Sequence, residues 1–172
     1  SGTLVLAGRA ANSGGVRVHE GTLQANSTVH GDVFVGENGR FIFDRGVWSA
    51  DVYGNFDNAG WMHVRAVGIG SGLGVTQIGG DYRHRDGATL AIDIGQRLDV
   101  SGSVDIEGGT LHVADVRSGY TANSREVLML GVGGINGSFD TLTWSSNIFL
   151  EGTLDYGPQQ VWLDITRLDV TA

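Results

Sequence analysis

A glycine followed by one or two residues and then an apolar residue recurs along this chain at a nearly constant step. The apolar anchors of the pattern are separated by 19, 18, 21, 28 and 21 residues. A period near 20 with insertions of variable length is typical of a solenoid, because each coil returns to the same place while its loops differ in length. The predicted anchors are Leu4, Leu23, Phe41, Met62, Leu90 and Leu111.

A second short apolar segment precedes several of these glycines. Residues 16–18, 33–35 and 52–56 alternate, or nearly alternate, between apolar and polar side chains, which is the pattern of a strand with one buried face. Between the segments, residues 37–39 and 57–60 contain Asn and Gly, which tolerate the positive φ of tight corners. We therefore predict an all-β, right-handed parallel β-helix with three-strand rungs of about 20 residues per turn, ending in a C-terminal β cap.

Composition supports strands separated by glycines rather than a disordered chain. There are 29 glycines but only one proline, and 41% of the residues are apolar. The net charge of −8 argues against binding to nucleic acid or to anionic lipid headgroups. Absence of cysteine excludes disulfides and thiolate sites, and no apolar run is long enough for a membrane helix, so no direct membrane insertion is expected. Because the chain begins at Ser1, we interpret it as a fragment or a processed product.

The glycine-rich residues 68–74 predict a boundary or a long corner. Large aromatic residues collect after it, as expected of a cap that closes a solenoid, whose terminal units are atypical. We predict stem rungs in residues 1–74 and a cap in residues 75–172. Residues 120–130 could hold a short helical turn, although their apolar run indicates a buried strand. The longer strands predicted after the boundary are residues 89–94, 98–106, 127–130, 148–150 and 161–165.

Residues 81–94 and 98–113 resemble the start of the autochaperone region in pertactin-like autotransporter passengers. The later hallmark of that family is a tyrosine, an apolar strand and a Gly-Ile-x-Gly-x-Phe turn, present here as Tyr120, residues 127–130 and residues 134–139. The resemblance covers about residues 75–172. The family often has glutamine where His84 stands. Neither the translocation-linker helix nor the outer-membrane barrel that follows in the family is in this chain.

The resemblance implies a structural stem and an intramolecular chaperone of a secreted passenger, displayed at the bacterial cell surface by type V secretion. The C-terminal segment would emerge first, fold as a cap and offer a strand edge to the next coil. The implied partners are the protein's own outer-membrane barrel and its own upstream rungs, and no cofactor is implied. The implied folding nucleus comprises Tyr82, Gly87, Leu90, Ile92, Leu98, Val100, Gly102, Gly109, Leu111, Val113, Leu128, Gly137 and Phe139.

No motif for catalysis or metal binding stands out. The chain has no Gly-x-Ser-x-Gly and no HExxH, so we predict that this segment is not an enzyme and holds no metal. The histidines are scattered, and His19, His63 and His112 are expected to face solvent. Arg83 and Arg85, with His84, would form a small basic surface cluster.

Two alternatives remain open. Acidic pairs such as Asp93 with Asp99 and Asp105 with Glu107 could serve a β-helical carbohydrate enzyme, although their alternation with apolar residues favours a solvated strand face. An adhesin surface would need exposed aromatic or polar ladders. Trp48 and Trp61 are the candidates for such a surface, and both are expected to be corner or packing residues. An exposed N-terminal strand edge also predicts edge-to-edge self-association.

Overall fold

Sixteen β-strands form the regular structure of the residues that are described. The computed structural model describes residues 2–6, 15–45, 51–66, 74–116, 124–145 and 150–168, and these ranges contain no helix. The strands are β1 (Thr3–Leu6), β2 (Val16–Ala25), β3 (Val33–Arg45), β4 (Phe56–Asn58), β5 (Trp61–Ala66), β6 (Gly74–Ile78), β7 (Tyr82–His84), β8 (Thr89–Ile94), β9 (Gln96–Val100), β10 (Val104–Ile106), β11 (Thr110–Val116), β12 (Ser124–Gly131), β13 (Ile135–Gly137), β14 (Thr141–Trp144), β15 (Leu150–Tyr156) and β16 (Gln160–Leu168).

The chain visits three stacks of parallel strands repeatedly and in a fixed order. Stack one contains the first parts of β2 and β3 and then β4, β7, β10 and β13. Stack two contains β1, the second parts of β2 and β3, and then β5, β8, β11 and β14. Stack three contains bridges at Val29 and Val52 and then β6, β9 and β12. The prediction of an all-β fold with parallel strands is thus confirmed, and the strands form a curled sheet, a half-barrel.

The strand register confirms the predicted repeat. Leu4 lies opposite Leu23, and Leu23 lies opposite Phe41. The column continues through Met62, Leu90 and Leu111, and it ends at Leu142. One apolar side chain per coil therefore faces the interior at the same height of stack two. From Leu23 to Leu111 every anchor is at most 4% exposed.

Stack one supplies a matching column and part of the aromatic core. Val33 lies opposite Phe56, and Phe56 lies opposite Tyr82. The ring of Phe56 packs at 5.2 Å from that of Phe41 and at 5.9 Å from that of Tyr82. Edge-on and tilted contacts at this separation are the favourable arrangement for buried aromatic rings. The short strands predicted at residues 16–18 and 33–35 are therefore confirmed as stack one. The strand predicted at residues 52–56 is wrong, because Val52 belongs to stack three and β4 begins at Phe56.

An antiparallel hairpin follows the last parallel strand at the C-terminal end. β12 pairs in parallel with β9 on one side and antiparallel with β16 on the other, and β15 pairs antiparallel with β16. The backbone N–H of Ile135 donates to the carbonyl of Pro158 at 2.9 Å, and that of Gly131 donates to Gln159 at 2.9 Å. The turn of the hairpin therefore binds the last coil, and parallel addition in stack three ends at β12.

Several of the predicted strand boundaries are wrong, including the end of residues 148–150 and both ends of residues 161–165, because β15 extends from Leu150 to Tyr156 and β16 from Gln160 to Leu168. The strand predicted over residues 98–106 is interrupted, because β9 ends at Val100 and β10 begins at Val104. The intervening residues form a corner that carries the chain from stack three to stack one. The strand predicted over residues 127–130 is longer, and residues 124–131 are extended rather than helical. Some of the positions considered in the sequence lie outside the described ranges, namely Trp48, residues 68–73, Tyr120 and residues 148–149.

The same stacks continue on both sides of residue 74. β4 pairs with β7, and β5 pairs with β8, so strands of the predicted stem and the predicted cap lie in one sheet. Division of the chain into residues 1–74 and 75–172 stays a prediction. Over the described ranges, no helix has the length and hydrophobicity needed to cross a membrane.

Candidate functional site: the stacking interface between coils

The apolar members of the predicted folding nucleus lie together in one core. Tyr82 belongs to stack one; Leu90, Ile92, Leu111 and Val113 belong to stack two; Leu98 and Val100 belong to stack three. All seven are almost fully buried, as is Leu128 in β12, and Phe139, in the segment that connects β13 to β14, is 8% exposed. Burial of each large apolar side chain contributes about 1.5–3 kcal/mol. Their role as a nucleus stays a prediction.

Three of the predicted glycines occupy positions where neighbouring coils touch. Gly109 has φ +73°, and a Cβ placed on it would lie 2.5 Å from the carbonyl oxygen of Ala88. A Cβ on Gly102 or Gly137 would also overlap the coil below, and Gly137 has φ +83°. Glycine is required at such positions because strands stack only about 4.8 Å apart. Gly87 differs, since it has φ +85° in a turn but open space around its Cα.

A ladder of side-chain hydrogen bonds follows the corner between stack three and stack one. The backbone N–H of Asn55 donates to Asp32 Oδ1 at 2.8 Å, and that of Asp81 donates to Asn55 Oδ1 at 2.8 Å. The N–H of Ser103 then donates to Asp81 Oδ1 at 2.9 Å. Each side chain thus accepts the backbone N–H of the equivalent corner residue in the next coil, and this bond helps to fix the register between the two coils.

The sequence carries a signal for this corner ladder. A glycine immediately precedes each of its four members, in the pairs 31–32, 54–55, 80–81 and 102–103. A Cβ on the second, third or fourth of these glycines would collide with the corner of the preceding coil. Gly-Asx or Gly-Ser directly before a short alternating strand is therefore the motif of this corner.

Replacing Asp81 with alanine should lower the free energy of unfolding by about 1 kcal/mol. The substitution leaves the N–H of Ser103 without its side-chain acceptor and also removes the bond that the Ser103 hydroxyl donates to Asp81. Urea unfolding followed by circular dichroism measures the change. Asp86→Ala, at an exposed turn position, is the matched control and should change stability by less than half as much. Equal effects of the two substitutions would show that the ladder does not stabilise the stacking.

His84 is not part of a basic surface cluster, contrary to the prediction. It is fully buried because β7 alternates, so that Tyr82 and His84 face the core while Arg83 faces solvent. Its Nδ1 lies 2.7 Å from Tyr82 Oη and its Nε2 lies 3.0 Å from the Ala88 carbonyl. Burial lowers the pKa of His84 to about 4, and burial also raises the pKa of Tyr82.

Most of the charged residues considered above are paired across coils. Arg83 binds Glu107 through two nitrogens at 3.0 Å and lowers the pKa of that carboxyl group. Arg85 binds Asp57 in the same bidentate way, at 2.7 and 2.8 Å. Arg97 binds Asp99 at 2.6 and 3.0 Å. These pairs lie on the outer faces of the strands and join adjacent coils or neighbouring positions of one strand.

The prediction of a solvated face fails at Asp93. This carboxylate is 4% exposed and lies 2.9 Å from Nε2 of His63, which is itself half-buried rather than facing solvent. His112 is also half-buried, with Nδ1 at 2.7 Å from Thr143 Oγ1 and Nε2 at 3.1 Å from Ser145 Oγ. The pKa of His112 is lowered, mainly by burial and to a smaller extent by the nearby His63. His19 is exposed, as predicted.

Trp61 packs on the outer face of stack two. It follows the Gly60 corner, and the guanidinium of Arg40 lies 4.8 Å from its ring centroid, a cation–π distance. The ring of His112 lies at 5.7 Å. The prediction that Trp61 is a packing residue is confirmed. In the part of the chain that the structure describes, no group of three or more histidines and carboxylates could hold a metal ion.

Comparison with known proteins adds one match, at the N-terminal end. None of the curated proteins matches the chain. A family model described as the passenger-associated-transport-repeat matches residues 1–25, which include β1 and β2. The match lies outside residues 75–172, on which the resemblance to the autochaperone region rests. The N-terminal 25 residues of the chain are thus similar to a repeat of autotransporter passengers.

Proposed function

We propose that the chain is a non-catalytic stem and intramolecular chaperone of a secreted autotransporter passenger, built as a right-handed parallel β-helix. The observation that carries the proposal is that the two ends of the stacks differ. Stack three ends in an antiparallel hairpin at the C-terminal end, whereas β1 at the N-terminal end pairs, among the described residues, only with β2. Right-handedness is the expected sense because crossovers between parallel strands are right-handed in almost all proteins. The repeat matched at residues 1–25 supports a passenger, and this family implies a secreted or cell-surface protein.

The N-terminal end offers the surface that a further coil would cover. Leu4 is 61% exposed, although every residue from Leu23 to Leu111 in its column is buried. Val5 in the same strand is 48% exposed. A parallel strand with an apolar residue opposite Leu4 would complete the column, as each later coil does. The protein's own upstream rungs fit this requirement, and edge-to-edge association of two copies is the other outcome that the exposed strand permits.

The C-terminal end would act first if the passenger emerges from that end. The hairpin closes the last coil. The strands of that coil would then offer their open edges to the coil that precedes it in the sequence, and each added coil would do the same for the next. Adding a coil to an existing solenoid costs less than starting one, because stability is a sum of coil and interface contributions. The outer-membrane barrel is the proposed neighbour of this end.

Comparison of residues 1–172 with residues 75–172 tests the chaperone role. The shorter fragment keeps residues 75–78 of β6 and all of β7 to β16, and it loses the partners β4 and β5. It should retain a β-type circular dichroism spectrum and unfold cooperatively in urea. An unstructured fragment 75–172, beside a folded full chain, would place the nucleus across residue 74 and remove the special role of the C-terminal part.

An adhesin surface is the second candidate, favoured by the outer face of stack two. One outward row of this stack is polar in most coils and includes Arg40 and Trp61. It continues as Thr89, Thr110 and Thr141. Binding of the purified chain to host or neighbouring cells, lost in Trp61→Ala, would support this function. By contrast, the acidic residues considered for a carbohydrate enzyme bind arginine, histidine or an amide among the described residues.

A further inference from the structure

Two polar side chains occupy positions in the core of stack one where the neighbouring coils have apolar side chains. The inward column runs from Val18 to Val35 and resumes at Ile106, but its two middle positions are Asn58 and His84. Both are 0% exposed. Buried polar groups are tolerated only where their hydrogen bonds are made. The coil of β7 can therefore pack stably only if the hydrogen bonds of Asn58, His84 and Tyr82 are all made.

The partners of His84 fix its protonation state and tautomer. The Ala88 carbonyl can only accept, so Nε2 carries the hydrogen and donates across 3.0 Å. Nδ1 then accepts the Tyr82 hydroxyl hydrogen across 2.7 Å. Tyr82 Oη in turn accepts from Asn58 Nδ2 at 3.3 Å. The neutral imidazole satisfies each of these bonds.

The amide of Asn58 is also fully occupied. Its Nδ2 donates to the carbonyl of Thr89 at 3.1 Å as well as to Tyr82, and its Oδ1 accepts the backbone N–H of Gly60 at 3.0 Å. Asn58 is therefore held in one orientation and cannot turn its oxygen towards Tyr82. A second proton, on Nδ1 of His84, would point at Tyr82 Oη. The hydroxyl hydrogen of Tyr82 would then lose its acceptor, and no second acceptor is among its hydrogen-bond partners in the described residues.

The charged groups near His84 are on the outer faces of the strands and bind other partners. From β4, Asp57 is held by Arg85; beyond β10, Glu107 is held by Arg83. Asp105 of β10 accepts from Asn136, and Asp140 accepts from the N–H of Gly109. Asp86 is exposed in the turn. On the inner side, the ring of Phe139 packs edge-on against His84 at 4.8 Å.

We propose that the Asn58–Tyr82–His84 chain is an acid-sensitive joint, at which protonation of His84 loosens the coil of β7 from the coils of β4 and Phe139. No carboxylate among the described residues bonds to the imidazole, so a charge there would be buried without a counterion. The neutral ring is favoured in the folded chain, whereas the unfolded chain binds the proton with the ordinary affinity of histidine. This inference is independent of the proposed secretion role.

Urea unfolding of the full chain between pH 7.5 and 4.5 tests the joint. The pKa of His84 in the folded chain is about 4, below its ordinary value of 6.5. The stability that the neutral ring contributes is therefore fully present above pH 6.5 and is lost as the pH falls towards 4. The folding equilibrium constant should therefore fall by up to about tenfold per pH unit relative to that of His84→Gln. Glutamine can donate to Ala88 and accept from Tyr82 but does not titrate. His30→Gln, at an exposed position, is the matched control and should keep the wild-type profile.

Parallel pH profiles for the wild type and His84→Gln would overturn the proposal. If His84→Gln does not fold, nitrogen NMR of the wild-type imidazole rings gives an independent answer. The ring of His84 should stay neutral, with its hydrogen on Nε2, at pH 5, which is below the ordinary histidine pKa of about 6.5. Titration of His84 at the ordinary histidine pKa of about 6.5 would also overturn the proposal.

Discussion

Replacing Leu111 with glutamate is expected to abolish cooperative folding of the chain. Leu111 lies between Leu90 and Leu142 in the stack-two column and is 1% exposed. A carboxylate at this position would be buried among apolar side chains without a partner, which costs more than about 4 kcal/mol. That is a large fraction of the roughly 5–15 kcal/mol that stabilises a typical domain. Circular dichroism and urea unfolding at pH 7.5 measure the loss.

Thr110→Glu is the control for Leu111→Glu. Thr110 is the preceding residue of β11 and its side chain is on the outer face, so the same charge should change stability by less than about 1 kcal/mol. If this region assists secretion as proposed, Leu111→Glu should also block surface display. A cooperatively folded Leu111→Glu variant would show that stack two does not hold the core at this coil.

The repeat was predictable because each coil contributes one apolar residue at the same height. The anchors from Leu4 to Leu111 can be found from sequence spacing alone, and the register pairs them in order. The last anchor, Leu142, was missed for a local reason. Asp140 takes the place of the usual glycine before Thr141, and a longer insertion precedes this coil.

Other features required knowledge of three-dimensional contacts. Alternation in Tyr82-Arg83-His84 indicates that His84 is on the buried face, but its position between two arginines favoured a surface interpretation. The polar core that accommodates His84 runs through Tyr82 to Asn58, which is 24 residues before Tyr82 in the sequence. Asp93 was misplaced for the same reason, since His63 lies 30 residues away. The change from parallel to antiparallel pairing at β16 likewise depends on which edge the last strand meets.

Substitution of Gly109 with alanine is expected to destabilise the chain much more than the same change at Gly87. The two residues have φ +73° and +85°, so alanine suffers a similar left-handed backbone penalty of about 1 kcal/mol at both positions. At Gly87 nothing lies within 4 Å of the new methyl group. At Gly109 the methyl group would lie 2.5 Å from the Ala88 carbonyl oxygen and 2.7 Å from His84 Nε2. Displacing these groups should add roughly 2 kcal/mol or more.

The difference between the two glycine variants isolates the cost of close coil stacking from the cost of backbone conformation. Urea unfolding of both variants at pH 7.5 gives the two free energies, and a difference above about 2 kcal/mol is expected. The strand spacing of about 4.8 Å would then be what selects glycine at this corner. Equal destabilisation would show that the coil of Ala88 can move away from Gly109 at little cost, and that the corner fixes conformation but not spacing.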